Sequence, residues 1–278
     1  MLDPNLKVAF VGGGSMAKAI LSGLIFSGHS PKHIMVCTPT AKNRAEIAEN
    51  FQVLVEHDNI KAVLFADIII LAVKPNMIAS VCAELRDESA LQDHPNILVS
   101  VAAGINSEQV RLSSGNSRVV CAMPNLPAAV GQGLTGLYAD ESTAKSDITL
   151  VNSLMSAVGE TMWINNPHHM PSIVAAAGSS PAYFYLFMEA MEKSAIAQGL
   201  PAHQAHEAVM QSALGAVSLA KQTGTSFSQL RGQVTSPKGT TEQAIKTFLQ
   251  RDIEGIVGEA MIKVANRSRE LEQSHTSN

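Results

Sequence analysis

The chain has 278 residues, 46% of them hydrophobic and 16% charged, with a formal net charge of −4; that is length for roughly two domains of ~150 residues. Lys and Arg are scattered rather than gathered into the basic stripe that nucleic-acid binding leaves, so DNA and RNA are excluded as partners. Cys37, Cys82 and Cys121 form an odd, widely spaced set that suits neither a disulfide framework nor a zinc site, the start MLDPNLKVAF carries no basic leader with a cleavable apolar segment, and the longest apolar stretch, Ala62 to Val73, is broken by Asp67, so a soluble cytoplasmic protein with no membrane partner is expected.

Through the first half, apolar runs of strand length alternate with helical patterns. LKVAFV is followed by a helix over Ala17 to Phe26, HIMVC by one over Ala41 to Phe51, ADIIILAV by one over Ile78 to Glu84, and then NILVSV and RVVCAMP. The runs lack period-two alternation, as parallel strands covered on both faces do. LTGLYA and TMWIN read as the last strands, separated by a helix over Ser142 to Val158, so a doubly wound α/β domain of the Rossmann type is expected over residues 1–165.

From residue 166 to 278 no strand pattern follows, and an all-helical domain is expected. PAYFYLFMEAMEKSAIAQGL opens on a Pro suited to a first helical turn and closes at Gly199; a second helix runs from Pro201 through Leu219. SPKGTTEQAIKTFLQ and IEGIVGEAMIKVANRSRELE complete the set, and EQSHTSN reads as a frayed tail. The helix from Pro181 is apolar on nearly every side, which calls for burial within the bundle or against a second subunit.

The first chemical signal is GGGSMA. Gly12, Gly14 and Ala17 match the dinucleotide fingerprint G-x-G-x-x-A directly between a strand and a helix. Gly12 permits the tight turn, Gly14 the close approach of pyrophosphate and Ala17 tight packing, with the amides of Ser15 and Met16 facing the phosphates. At the end of the second strand, VCTPTAKNR has no acid to bond a ribose diol before Glu46. That favours NADPH over NADH, which stays open as a donor; Thr38 and Thr40 can bond a 2′-phosphate and Arg44 or Lys42 can pair with it, although either base can equally be a solvated helix charge.

Three more loops fall at carboxyl ends of strands, where open α/β sheets bind ligands. They are Ala72, Val73, Lys74 and Pro75; Ala102, Ala103 and Gly104 after Val101; and Met123, Pro124 and Asn125. Lys74, the one charge among them, either orients the cofactor during catalysis or points to solvent, and Pro75, Gly104 and Pro124 read also as structural turns. His203 with His206, and His168 with His169, lack the further ligands that a metal needs, so no metal site is expected.

Far from the glycine loop, TSPKGTT runs into EQAIKTF. Hydroxyls at Ser236, Thr240 and Thr241 around Gly239 at a helix start read either as caps or as an anion-binding mouth.

GGGSMAKAI, AVKP, VAAG, MPN, GSSPAY and TSPKGTT, in this order over nearly the whole chain, resemble the pyrroline-5-carboxylate reductase family. The resemblance implies a Rossmann domain, a helical domain that forms a homodimer with its twin and in some members a ring of dimers, and reduction of a cyclic imine carboxylate to proline. It implies that the substrate carboxylate is gripped at Ser236, Lys238, Gly239 and Thr240, chiefly by the amides of Gly239 and Thr240, and that the Thr241 hydroxyl bonds the ring nitrogen. Tyr183, beside GSSPAY, either approaches the site or packs. The chain departs from the family at Lys238, where glycine is usual, at Ser15, at Leu126, and at Thr225 and Gly232, where acids are common. Lys238 either strengthens the grip on a carboxylate or obstructs the turn should the backbone there need a positive φ. These departures keep two other readings open, an NADP-binding regulatory protein without turnover and a related dehydrogenase or imine reductase with another small carboxylate.

Overall fold

The computed structural model describes residues 2–87, 94 and 96–276. Its centre is an eight-stranded sheet, whose strands are β1 (Val8–Val11), β2 (Ile34–Cys37), β3 (Leu54–Glu56), β4 (Ile68–Leu71), β5 (Ile97–Ser100), β6 (Val119–Met123), β7 (Gly133–Ala139) and β8 (Gly159–Trp163). The spatial order is β3-β2-β1-β4-β5-β6-β7-β8. Pairing is parallel except between β6 and β7, where Cys121 faces Tyr138 and Met123 faces Gly136. Chain order reverses at β1, which lies between β2 and β4. Such a switch point opens a crevice at the carboxyl ends of the strands.

Strand residues divide by parity between two apolar layers. Val8 and Phe10 of β1 join Ile20, Leu21 and Leu24 of α1 (Ser15–Phe26), Ile47 of α2 (Ala41–Phe51) and Leu154 and Met155 of α6 (Lys145–Ser156). Ala9 and Val11 join Ala62 and Val63 of α3 (Ile60–Phe65), Val81 and Leu85 of α4 (Ile78–Asp87) and Val110 of α5 (Ser107–Ser114). Burial on both faces explains why β1, β2, β4 and β5 are unbroken apolar runs.

The sequence pattern missed β3, α3 and α5. β3 is three residues on a sheet edge, and Leu54 is exposed, so it carries no apolar signature. The signal for α5 was present: Asn106 accepts from the Gln109 amide at 2.9 Å while Gln109 Oε1 accepts from the Asn106 amide at 2.9 Å, a reciprocal cap.

After β8 the chain runs through α7 (Met170–Ile173) and a single π turn, Val174–Gly178, to α8 (Ser180–Ala197), α9 (Ala202–Thr223), α10 (Phe227–Gln233), α11 (Thr240–Gln250) and α12 (Ile253–Thr276). The residues through Ser179, with those from Lys263 on, form one compact unit, and Ser180–Ile262 a second. The segment expected to fray is helical as far as Thr276, while Ser277 and Asn278 lie outside the described residues. Its helix is held: a Cβ on Gly104 would stand 2.9 Å from Leu271 Cβ, and Asn106 Nδ2 donates to Glu272 Oε1 at 3.5 Å.

Within the second unit, the rings of Phe187 of α8 and Phe248 of α11 pack tilted at 5.7 Å between centroids, and His206 of α9 lies 3.3 Å from Glu192 of α8. Yet no residue of α8 is buried in the isolated chain. Phe184, Leu186, Leu214, Val217 and Phe227 are all exposed. Apolar surface on this scale marks an interaction face. Among the described residues no helix is long and apolar enough to cross a membrane.

One buried ion pair ties α6 to the start of β6. Arg118 donates through Nε to Asp147 Oδ2 at 2.8 Å and through Nη2 to Oδ1 at 2.7 Å, with the Asp147 side chain 3% exposed. The Arg118 hydrogen bond holds this carboxyl below the ordinary value of 3.8 in spite of burial. The folded value is the lower one, so the pair's stabilisation is complete above the unfolded value and is lost as pH falls through the folded one. Asp147→Ala is expected to lower unfolding free energy at neutral pH by about 3 kcal/mol, less than for a wholly buried pair because Arg118 keeps contact with water. Urea melts repeated as pH is lowered from the ordinary carboxylate value should narrow the gap progressively; a gap that does not change with pH makes the loss one of packing.

Candidate active site

The glycine loop forms the first candidate site. Gly12 has φ +105°, its amide donates to Cys37 O at 2.8 Å, and a Cβ there would stand 2.5 Å from Ala72 O. No side chain fits between the ends of β1 and β4. Gly14 differs: it precedes α1 with φ −78°, and a Cβ would meet nothing within 4 Å. The space in front of it is open, and the α1 start has neither a side-chain cap nor an acid in its first turn. Ser15 is exposed, Met16 is half-buried against the core, and Ala17 is buried at 2% exposure. Unpaired amides and the positive end of the α1 dipole therefore face an unfilled cradle suited to a diphosphate.

Thr38 is buried at the end of β2 and Thr40 is exposed at the start of α2. Arg44 Nη1 donates to Thr38 O at 2.7 Å, which fixes one edge of its guanidinium beside this turn and leaves the other N–H groups of the fork for an anion. Lys42 is exposed. Glu46, the first acid after β2, is engaged at 2.6 Å by Lys18 Nζ, so no carboxylate stands ready for a ribose diol. Asn43, which the sequence reading overlooked, donates from Nδ2 to Gly13 O at 3.0 Å and lies 3.5 Å from Thr38 Oγ1. It links the β1 and β2 loops, and a polar residue in the first turn of α2 was its only trace in the sequence.

Ala72 is tied to the sheet through its amide and Val11 O at 2.8 Å; Val73 follows it half-buried, and Lys74 is exposed just before the short turn that Pro75 opens. Ala102, Gly104 and Met123 line one cleft with Ser100, Cys121 and Tyr138, while Ala103 is half-buried beside them. The Val101–Gly104 and Met123–Asn125 loops thus meet. Pro124 is buried. Asn125 has both side-chain functions occupied: Nδ2 donates to Ala177 O at 3.0 Å and Oδ1 accepts from the Leu134 amide at 2.9 Å. Its side chain braces β7 against the π turn.

Burial pushes the Cys37, Cys82 and Cys121 thiols up to about 12. None of them offers a thiolate near neutral pH. Among the described residues no His, Cys, Asp and Glu cluster is placed to hold a metal.

A second candidate site lies in the other compact unit. Ser236 to Gly239 form a tight turn with Pro237 second, Lys238 third at φ 61°, and the Gly239 amide donating to Ser236 O at 3.0 Å. This is the pattern of a type II turn, whose third position calls for positive φ. A left-handed conformation costs a side chain about 1–2 kcal/mol, which glycine at position 238 would avoid. Gly239 differs from expectation because its N–H closes the turn. The α11 start has no side-chain cap, so the amides of its first turn, those of Thr240 and Thr241 among them, are left as donors. Both residues, with Ser236 and Lys238, are exposed in the isolated chain. The Tyr183 hydroxyl is buried with no hydrogen-bond partner among the described residues.

Residues 167–271 match the family described as pyrroline-5-carboxylate reductase dimerisation, and residues 7–104 the family described as NADP oxidoreductase, coenzyme F420-dependent. The chain is 38% identical to a pyrroline-5-carboxylate reductase of Vibrio alginolyticus over 96% of its own length and 98% of the relative's. It is 39% identical to one of Haemophilus influenzae over 95% and 97%. A solved pyrroline-5-carboxylate reductase of Coxiella burnetii superposes with a TM-score of 0.86 at 37% identity, covering 96% of this chain and 98% of that one.

The two fingerprint glycines should fail differently. Gly12→Ala is expected to cost about 2 kcal/mol or more of stability, since the methyl meets backbone at a positive φ. Gly14→Ala should melt like wild type, within about 0.5 kcal/mol, and yet bind dinucleotide at least about ten-fold more weakly, since its methyl fills the cradle. Thermal melts paired with fluorescence titration of the reduced dinucleotide separate the two; full affinity in Gly14→Ala would place the phosphates elsewhere.

Proposed function

The chain belongs to the pyrroline-5-carboxylate reductase family, and on that premise we propose that it reduces 1-pyrroline-5-carboxylate to proline with NADPH. The observation that carries this reading is the uncapped start of α11 behind the Ser236–Gly239 turn, a donor pair shaped for a small carboxylate. The reading assigns dinucleotide binding to residues 1–165 and substrate binding with dimerisation to residues 166–278, in the cytoplasm.

The amides of Ser15 and Met16 hold the diphosphate. Thr38, Thr40 and the free edge of Arg44 take the 2′-phosphate, a charge-assisted and bidentate contact of the kind Arg makes well. The absence of an acid at the end of β2 favours that phosphate over a bare ribose, with NADH as the weaker donor. Ala72, Val73 and Pro75, with Ala102, Ala103, Gly104, Met123, Pro124 and the Asn125 backbone, border the reactive end of the cofactor. A bound NADPH would supply the hydride from a nicotinamide C–H bond and leave as NADP+, and with that hydride on the imine carbon and a proton on the ring nitrogen C=N becomes C–N.

This chain's residues hold and orient the acceptor. The amides of Thr240 and Thr241 bind the carboxylate at the positive end of α11, with Ser236 and Gly239 shaping the turn behind it and Lys238 adding a cation at its rim. The Thr241 hydroxyl bonds the ring nitrogen and passes it a proton from water, and Lys74 orients the cofactor. A protonated imine is already electrophilic, so alignment and polarisation supply most of the acceleration and no strong general acid is required.

The exposed apolar faces of α8 and α9 are the surface through which two copies join, and dimers can close further into a ring. Leu214 and Val217 are 62% and 66% exposed on α9, and burying each such side chain contributes about 1.5–3 kcal/mol. Leu214→Asp is expected to yield monomers by light scattering; a variant that elutes with wild type would move the interface elsewhere.

NADPH absorbance should fall only when the cyclic imine is added. Binding of NADPH without imine-dependent loss would leave a regulatory protein. Thr241→Ala should reduce kcat/KM by about 10- to 100-fold, the worth of one hydrogen bond to a charged group, with NADPH affinity retained.

A further inference from the structure

We infer that Glu242 is a positioning residue that holds the Ser236–Gly239 turn in the shape the start of α11 needs; this rests on the carboxylate-binding reading above. Among the described residues three other than glycine have positive φ: Gln52, Lys238 and Asp252. Gln52 and Asp252 each return their amide to the helix just ended, to Ala48 O and Leu249 O, both at 3.0 Å. Lys238 has no preceding helix turn to receive its amide. It donates forward instead, to Glu242 Oε2 at 3.0 Å.

Glu242 is the third residue of α11, where an acid usually reaches back to the residue before the helix. Here that residue is Gly239, and its amide already closes the turn on Ser236 O. The carboxylate therefore reaches one position further, to Lys238. Two consecutive amides are pinned, Lys238 by Glu242 and Gly239 by Ser236, and the next two, of Thr240 and Thr241, are aimed by them. An acid at an anion-binding mouth would repel the substrate, but Lys246 Nζ stands 3.2 Å from the same Glu242 oxygen and offsets its charge. Glycine at position 238 would hold the positive φ without this anchor. Lys238 and Glu242 thus form one device: the side chain that strains the turn is matched by the carboxylate that locks it.

Glu242→Ala is expected to raise KM for the imine about ten-fold while kcat stays within about two-fold, with NADPH affinity unaltered and faster hydrogen exchange at the Lys238 and Gly239 amides. Glu242→Gln keeps an acceptor and should recover most of the loss. Adding Lys238→Gly to Glu242→Ala should bring KM back down, because glycine holds a positive φ unaided. Unchanged KM and unchanged exchange in Glu242→Ala overturn the inference, and so does a raised KM that Lys238→Gly fails to repair. Exchange does not require turnover: if wild type reduces no imine, the functional reading falls, while the exchange comparison still decides whether Glu242 holds the turn.

Discussion

A helix cannot satisfy the first N–H groups of its own backbone, and whatever completes them decides what the helix start is for. At α5 and α10 this chain completes them internally, with the Asn106–Gln109 and Ser226–Gln229 boxes. At α1 and α11 it does not: each start follows a glycine, lacks a side-chain cap, and leaves donors beside the positive end of the dipole. A diphosphate and a carboxylate are the two anions that reduction of an imino acid by a dinucleotide brings together. The local physics of the two mouths is the same, and their difference lies in what surrounds them.

Around α1 the surroundings are rigid. Gly12 is pressed against Ala72 O, Asn43 is bonded to Gly13 O, and Arg44 to Thr38 O. The loops of β1, β2 and β4 therefore form one shell. Around α11 the geometry is set by few contacts, chiefly the Gly239 amide on Ser236 O and the Lys238 amide on Glu242. A turn held by two hydrogen bonds is sensitive to a single substitution, as a shell of packed backbone is not.

The helical half also carries an unmet requirement. α8 has no buried residue, and α9 buries only Ala205 and Val209. Helices this apolar do not stand free in water, and the area they expose is the driving force for a second copy of the chain.

Much of this was legible in the residues alone. The unbroken apolar runs at Val8–Val11, Ile68–Leu71 and Ile97–Ser100 marked strands buried on both faces, and the G-x-G-x-x-A spacing between strand and helix marked the cradle, because backbone sterics and burial act locally and leave a local pattern. The sequence also raised Lys238 as the residue to watch. It could not say that φ there is 61°, that Asn125 spends both side-chain functions on Ala177 and Leu134, or that Glu242 reaches Lys238 in place of Gly239. Those depend on which atoms of distant or competing segments arrive within hydrogen-bond reach, and only the folded chain decides that.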